Sequence, residues 1–194
     1  MVDIRDGHNY QIVSIGAQCW FAENLNYGVL KNASASLTDN CVNEKYCINN
    51  VAANCDVYGG FYQWDELMRY DPAVEGHQGL CPPGWHVPSE LEWITLFNVY
   101  GGQSQAGMFL KNPGPGSFHA QLGGVLYQNN VNWSFFPPNP GANCPPGFAA
   151  TFFWTSDPAG LWQAKSHGLN NAVESVSDYT SGRGNGMSVR CIQD

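Results

Sequence analysis

Charge is scarce in this chain. Only 12% of its 194 residues are Asp, Glu, Lys or Arg, and Lys and Arg together number 8 against 16 acids, for a net charge of −8. Binding to a phosphate backbone needs clustered cations, so nucleic acid is excluded as a partner. No apolar run approaches the length of a membrane span, so no span is expected in this chain. Met1 is followed at once by Asp3 and Arg5, and no leader is legible there; a leader already removed, or export by another route, is the expectation. No Cys-x-x-Cys pair occurs, which argues against zinc ribbons and thioredoxin-like sites. No shift in composition marks a linker, and residues 1–194 read as one domain.

What is present points to a packed, loop-rich molecule. Hydrophobic residues make up 43% and aromatics 13%, too many for a disordered chain, while 22 Gly and 12 Pro interrupt regular structure. Seven cysteines are many for a reduced protein of this size. Disulfides in an oxidising setting follow, with one thiol left over, and with them an extracellular, cell-surface or virion location.

Along the chain, Tyr10–Ile15 and Cys19–Phe21 flank a turn at 16–18 and read as an N-terminal hairpin. Residues 31–57 are polar, Asn-rich and hold three cysteines, so a long loop pinned by disulfides is expected. Phe61, Trp64, Leu67 and Met68 lie at helical spacing after Gly60. In "GLCPPGWHVPSELEW", Pro82, Pro83 and Gly84 make a turn, and Pro88 holds Val87 extended. Ser89 then stands three residues before Glu92, the spacing of a capping box, and predicts a second helix from Ser89 to Tyr100, stopped by Gly101 and Gly102. Cys81, His86 and Glu92 therefore have structural work, and no catalysis is assigned to them. Residues 101–147 read as a long Gly, Pro and Asn excursion. From Phe148 on, "FFWTS", "GLWQAKS", "AVESVSD" and "GMSVRCI" read as short strands of an antiparallel sheet. The class is α+β: two helices packed on small antiparallel sheets with long loops.

"DGHNYQIVSIGAQCWFAENLNY", "YGGFYQW", "GLCPPGWHVPSELEW", "FFWTS" and "GMSVRCIQD" together resemble the Fibrobacter succinogenes major paralogous domain, from Asp6 to Asp194. The resemblance implies a secreted or surface module with a C-type lectin-like fold. It also implies a disulfide between Cys81 and Cys191, both in family motifs. Two further bridges are expected among Cys41, Cys47, Cys55 and Cys144, in one of three pairings, with Cys19 as the odd thiol. Formylglycine-generating enzymes share the implied fold but use a pair of reactive cysteines near the C-terminus; here only Cys144 and Cys191 come late, and that enzymatic carry-over fails. The fold also serves the variable proteins of diversity-generating retroelements, whose mutagenised part corresponds to Trp154–Arg190.

That segment carries the candidate site. Trp162, His167, Asn170, Asn171, Tyr179, Arg183 and Asn185 lie among small residues, between strands that read as fixed. Rigid aromatics with adaptable Asn, Ser and Gly are the composition of a recognition surface. Trp133 and Phe135 from the preceding loop are added to it, and Trp162, Tyr179 and Arg183 are the expected hot spots, exposed and converging on one face. The function read from this is non-catalytic binding of a protein or carbohydrate on another surface; the alternative is an oxidase resembling the formylglycine-generating enzymes. Glu23 and Asn24, beside Trp20 and Phe21, read as a buried structural network. No metal or cofactor is expected. Calcium through Asp56, Asn170, Asn171 and Asp178 is the minor alternative, because the Glu-Pro-Asn and Trp-Asn-Asp signatures of calcium-dependent sugar binders are absent. Asn32 and Asn132 head glycosylation sequons by pattern.

Overall fold

A computed structural model describes residues 1–71, 76–114, 116–129, 132–136 and 147–194, with 129 and 132–136 described by backbone alone. The chain is α+β, as the patterning predicts. Strands β1 (Ile12–Ile15) and β2 (Gln18–Phe21) pair antiparallel with Ile15 opposite Gln18. Only two residues connect them, and Gly16 takes a φ of 61° there, the left-handed start that a tight hairpin turn demands. Two parallel residue pairs join β3 (Val29–Leu30) to β4 (Glu44–Lys45). Then come a single 3-10 turn, α1 (Ala52–Tyr58) and α2 (Trp64–Leu67).

Strand β5 (Trp85–His86) leads into α3 (Glu90–Val99), followed by α4 (Gln103–Leu110). Both halves of the capping box form: the Glu92 N–H donates to Ser89 Oγ at 3.3 Å, and Glu92 Oε2 accepts the Ser89 N–H at 2.7 Å. The hairpin β6 (Val125–Asn129) and β7 (Asn132–Phe136) precedes a three-stranded antiparallel sheet. This sheet consists of β8 (Ala150–Pro158), β9 (Gln163–Asn170) and β10 (Ser177–Gly182), with β9 in the middle. Last comes β11 (Ile192–Gln193), which lies between β2 and β5: Ile192 faces Trp20 on one side and His86 on the other. The two ends of the chain thus close one sheet.

Two large aromatic cores, and a smaller one around Tyr46, Phe61 and Leu126, gather the buried side chains. Tyr10, Phe21, Tyr62, Trp64, Trp85 and Trp154 gather around Cys81 and Cys191. Trp20, Trp93, Phe97, Phe118, Phe153 and Leu169 form the other, with the Trp20 and Trp93 rings 4.9 Å apart. Apolar faces of short strands and helices gain their stability by this kind of burial, about 25 cal/mol per Å².

Helix content exceeds the two helices read from sequence. The segment after Gly60 is extended through Gln63, and its helix shrinks to the single turn α2. In the stretch read as a loop over 31–57, α1 forms although only Cys55 on it is buried. Gly102 ends the α3 region but also caps α4. The disulfides are Cys81–Cys191 and Cys47–Cys55. The expected use of Cys41 in a bridge is corrected: Cys41 is a free, exposed thiol on a turn, and Cys19 is free and half-buried on β2. Cys144 lies outside the described residues.

Candidate functional site

Alternation along β8–β10 sorts side chains onto two faces. Phe153 and His167 are opposite each other, as are His167 and Asp178, and these face α3 and the second core. Phe152 opposite Gly168, and Tyr179 opposite Ser166, belong to the other face. There Trp154 and Ala164 are buried in the first core, and Phe152 packs, partly buried, against its edge.

At that edge is a groove of about 200 Å³. Tyr127 of β6, Phe148, Phe152, Gly168, Asn170 and Tyr179 line it. Tyr127 and Tyr179 are 38% and 44% exposed. Phe152 and Tyr179 meet edge-to-face at 5.3 Å. Gly168 makes that meeting feasible: a Cβ there would lie 2.6 Å from the Tyr179 ring and 3.0 Å from Phe152.

The residues expected to share one surface are divided. Tyr179 and Asn170 line the groove. Trp162 is 82% exposed but sits in the β8–β9 turn beside the equally bare Leu161. Four residues of extended chain separate it from Ser166, the partner of Tyr179, or about 13 Å. Arg183 is a clasp for that turn. Its backbone N–H donates to the Trp162 carbonyl at 3.0 Å, and its guanidinium to Gln163, Gly160 and Asp65 while lying 4.2 Å above the Trp64 ring. A side chain so engaged ties the turn to α2 while staying partly exposed.

The three asparagines also make framework bonds. Asn185 Oδ1 accepts the Gln128 N–H and ties β6 to the segment before β11. Asn171 brackets Gly147 and Ala149, and Asn170 Oδ1 accepts from Ala172 and Val173. Trp133 and Phe135 lie on β7, and their side chains are outside the described residues.

His167 is the clearest correction: it is fully buried and not a surface contact. Its ring packs against Trp93 at 5.4 Å and Phe97 at 5.0 Å. Nδ1 lies 2.9 Å from Asp178 Oδ1, and Nε2 lies 3.2 Å from Glu90 Oε2. Among the described residues these three are the one cluster of His, Cys, Asp or Glu able to surround an ion. The calcium candidates do not assemble: Asp56 lines a separate cavity with His8, Glu23 and His119, while Asn170 and Asn171 cap backbone. Asn24 is the buried network residue that the sequence suggests, donating to Tyr58 and Ser188 and accepting from Arg190; Glu23, expected with it, is corrected, since its side chain is 41% exposed beside His8.

The class these features define is an α+β domain whose chain ends meet in one sheet, with two large aromatic cores and an aromatic groove beside its three-stranded sheet. The family model of the Fibrobacter succinogenes major domain matches residues 13–193, and the chain belongs to that family. No curated protein and no solved structure matches it.

Proposed function

We propose that this protein is a non-catalytic ligand-binding module with a C-type lectin-like frame, displayed on a cell or virus surface. Its ligand is a protein or carbohydrate carried by another surface. The groove bounded by Tyr127, Phe148, Phe152 and Tyr179 carries this reading. Aromatic rings left half-open lose the benefit of burial, and a ligand that covers them restores it. Asn170 at the rim adds hydrogen-bonding capacity, and the sheet below fixes the rings in place. The two disulfides suit an oxidising location, and among the described residues no helix is long and apolar enough to cross a membrane.

Against the oxidase alternative stands Cys191, the late cysteine that such chemistry would need, because it is joined to Cys81. Diversification of residues 154–190 by a retroelement is the finer form of the proposal. A reverse-transcriptase gene and a near-copy of the gene's last part beside it would support that form; their absence would remove it.

The direct test is binding to immobilised glycans and to surface proteins of candidate target cells. Tyr179→Ala and Phe152→Ala should each weaken the interaction about tenfold or more, equivalent to about 1.4 kcal/mol, with melting temperature nearly unchanged for Tyr179. Gly168→Ala should act in the same direction by displacing the Tyr179 ring. Binding lost through Trp162→Ala and untouched by the groove substitutions would move the site to the β8–β9 turn and overturn the groove assignment.

A further inference from the structure

His167 holds chemistry that the binding groove does not use. The imidazole is 0% exposed, yet Nε2 has no hydrogen-bond partner. Glu90 Oε2 is 3.2 Å away, but the contact lies off the direction a ring N–H would need. A buried polar atom left this way calls for an explanation.

Nδ1 is fully accounted for. Asp178 Oδ1 stands 2.9 Å from it, and the same oxygen accepts from the Gln103 side chain, so the carboxylate is held from two sides. A carboxylate on Nδ1 keeps the proton there and leaves the Nε2 lone pair free. That is the arrangement in which a carboxylate orients a metal-binding histidine.

The spacing on the other side of the ring fits an ion. Two ligand atoms bonded at about 2.0–2.1 Å in a tetrahedron stand about 3.3 Å apart. Nε2 and Glu90 Oε2 are 3.2 Å apart. Glu90 itself is fixed, because it is the first residue of α3 and its backbone N–H donates to Asp157 Oδ2 at 2.7 Å. Its side chain is 20% exposed, so solvent reaches the Nε2 side of the cluster through Glu90, while Asp178, 56% exposed, stands on the Nδ1 side. Ligand atoms of all three residues lie within 4.8 Å of one another.

We propose that His167 Nε2 and Glu90 bind a divalent transition-metal ion of the zinc type, with Asp178 as the residue that positions the imidazole. An imidazole with carboxylates suits such an ion better than calcium, which prefers oxygen alone. The ion would bridge α3 and β9, two elements otherwise joined there by packing. Its place is on the opposite face of the sheet from the groove, so its binding and the groove's binding are separable.

The experiment uses the whole chain, stripped by a chelator and titrated with Zn²⁺ while heat and melting temperature are followed. One equivalent should bind and raise the melting temperature. Co²⁺ in its place should give the visible absorption of a bound nitrogen and oxygen set. Glu90→Gln keeps the backbone bond to Asp157 and should weaken Zn²⁺ binding at least tenfold; His167→Ala should abolish it. Asp178→Asn should weaken it about 10- to 100-fold, as loss of an orienting partner does. His8→Ala and His119→Ala, in the separate cavity, should leave it unchanged. No heat and no melting shift at several-fold excess of metal would overturn the proposal. So would binding that Glu90→Gln leaves intact. If His167→Ala does not fold, Glu90→Gln and the Co²⁺ spectrum decide alone.

Discussion

Arg190 is 1% exposed and among the described residues has no carboxylate within hydrogen-bonding reach, so its charge is held by carbonyls and one amide. Nε donates to Asn24 Oδ1 at 2.6 Å, Nη1 to the Phe21 and Phe118 carbonyls at 3.0 and 2.6 Å, and Nη2 to the His119 carbonyl at 2.9 Å. The guanidinium also lies 4.4 Å above the Phe118 ring. Burial pulls its pKa down to about 9, with Glu23 acting the other way, so it remains charged at neutral pH. One side chain therefore joins β2, the loop after α4 and the segment before β11. His119 takes a φ of 48°, a left-handed conformation uncommon outside glycine, in presenting the carbonyl that Arg190 bonds. Arg190→Ala leaves four buried acceptors unpaired and should lower stability by roughly 3–5 kcal/mol, seen as a lower urea midpoint. Arg190→Lys should recover less than half of that, because an ammonium cannot reproduce the planar fork.

At the scale of elements, the start of α3 is where three pieces of the chain meet. Glu92 Oε2 serves the capping box, while Oε1 is 2.8 Å from His86 Nε2 on β5. His86 Nδ1 in turn is 2.7 Å from Asp194 at the end of the chain. The Glu92 bond, then the Asp194 bond, raise the His86 pKa against desolvation. Burial pushes Glu92 upward, but its bonds to His86 and Ser89 outweigh this and hold it below its ordinary value. The signs give a window. The His86 contribution is fully present below its ordinary pKa of 6.5 and fades as pH rises through the raised folded value. That of Glu92 is fully present above 4.5 and fades as pH falls through the lowered one. This network should therefore stabilise most between those two ordinary values. His86→Gln should flatten the alkaline side of the melting-temperature profile; an unchanged profile would remove the network from the explanation. The capping box was legible in sequence because it is local, three residues apart. Asp194 was not, since it arrives only when β11 pairs with β5. Helix α1 lacked an apolar stripe, and α4 begins at a glycine that reads equally well as a stop. His167 offered a signal: it shares strand parity with the buried Leu169, which places it on the core face. The groove draws on Phe152 and Tyr179 of the three-stranded sheet, on Phe148 just before β8, and on Tyr127 of β6, which the Gly124–Thr151 bridge sets beside that sheet, and no short-range pattern connects them.

For the molecule as a whole, the question is what fixes a domain with so many Gly and Pro and so few long elements. The terminal sheet has few residue pairs, and β11 contributes two residues to it. The Cys81–Cys191 bridge lies in the core beneath that sheet and closes a loop of 110 residues, whereas Cys47–Cys55 closes one of 8. A cross-link acts chiefly by limiting the unfolded chain, and the limit grows with the logarithm of loop length. The chain-entropy estimate is about 5 kcal/mol for the long loop and about 2.5 for the short one. Removing the first bridge by Cys81→Ala with Cys191→Ala should therefore cost about twice as much as removing the second. The double change also trades buried sulfur for space in the aromatic core, which adds to the loss. Urea unfolding of the two double variants against the parent measures both. The ordering is the test: equal costs, or a larger cost for Cys47–Cys55, would mean that local order near α1 matters more than the long closure. A larger cost for Cys81–Cys191 would establish that joining the chain ends is what makes this loop-rich domain stable enough to present a fixed groove.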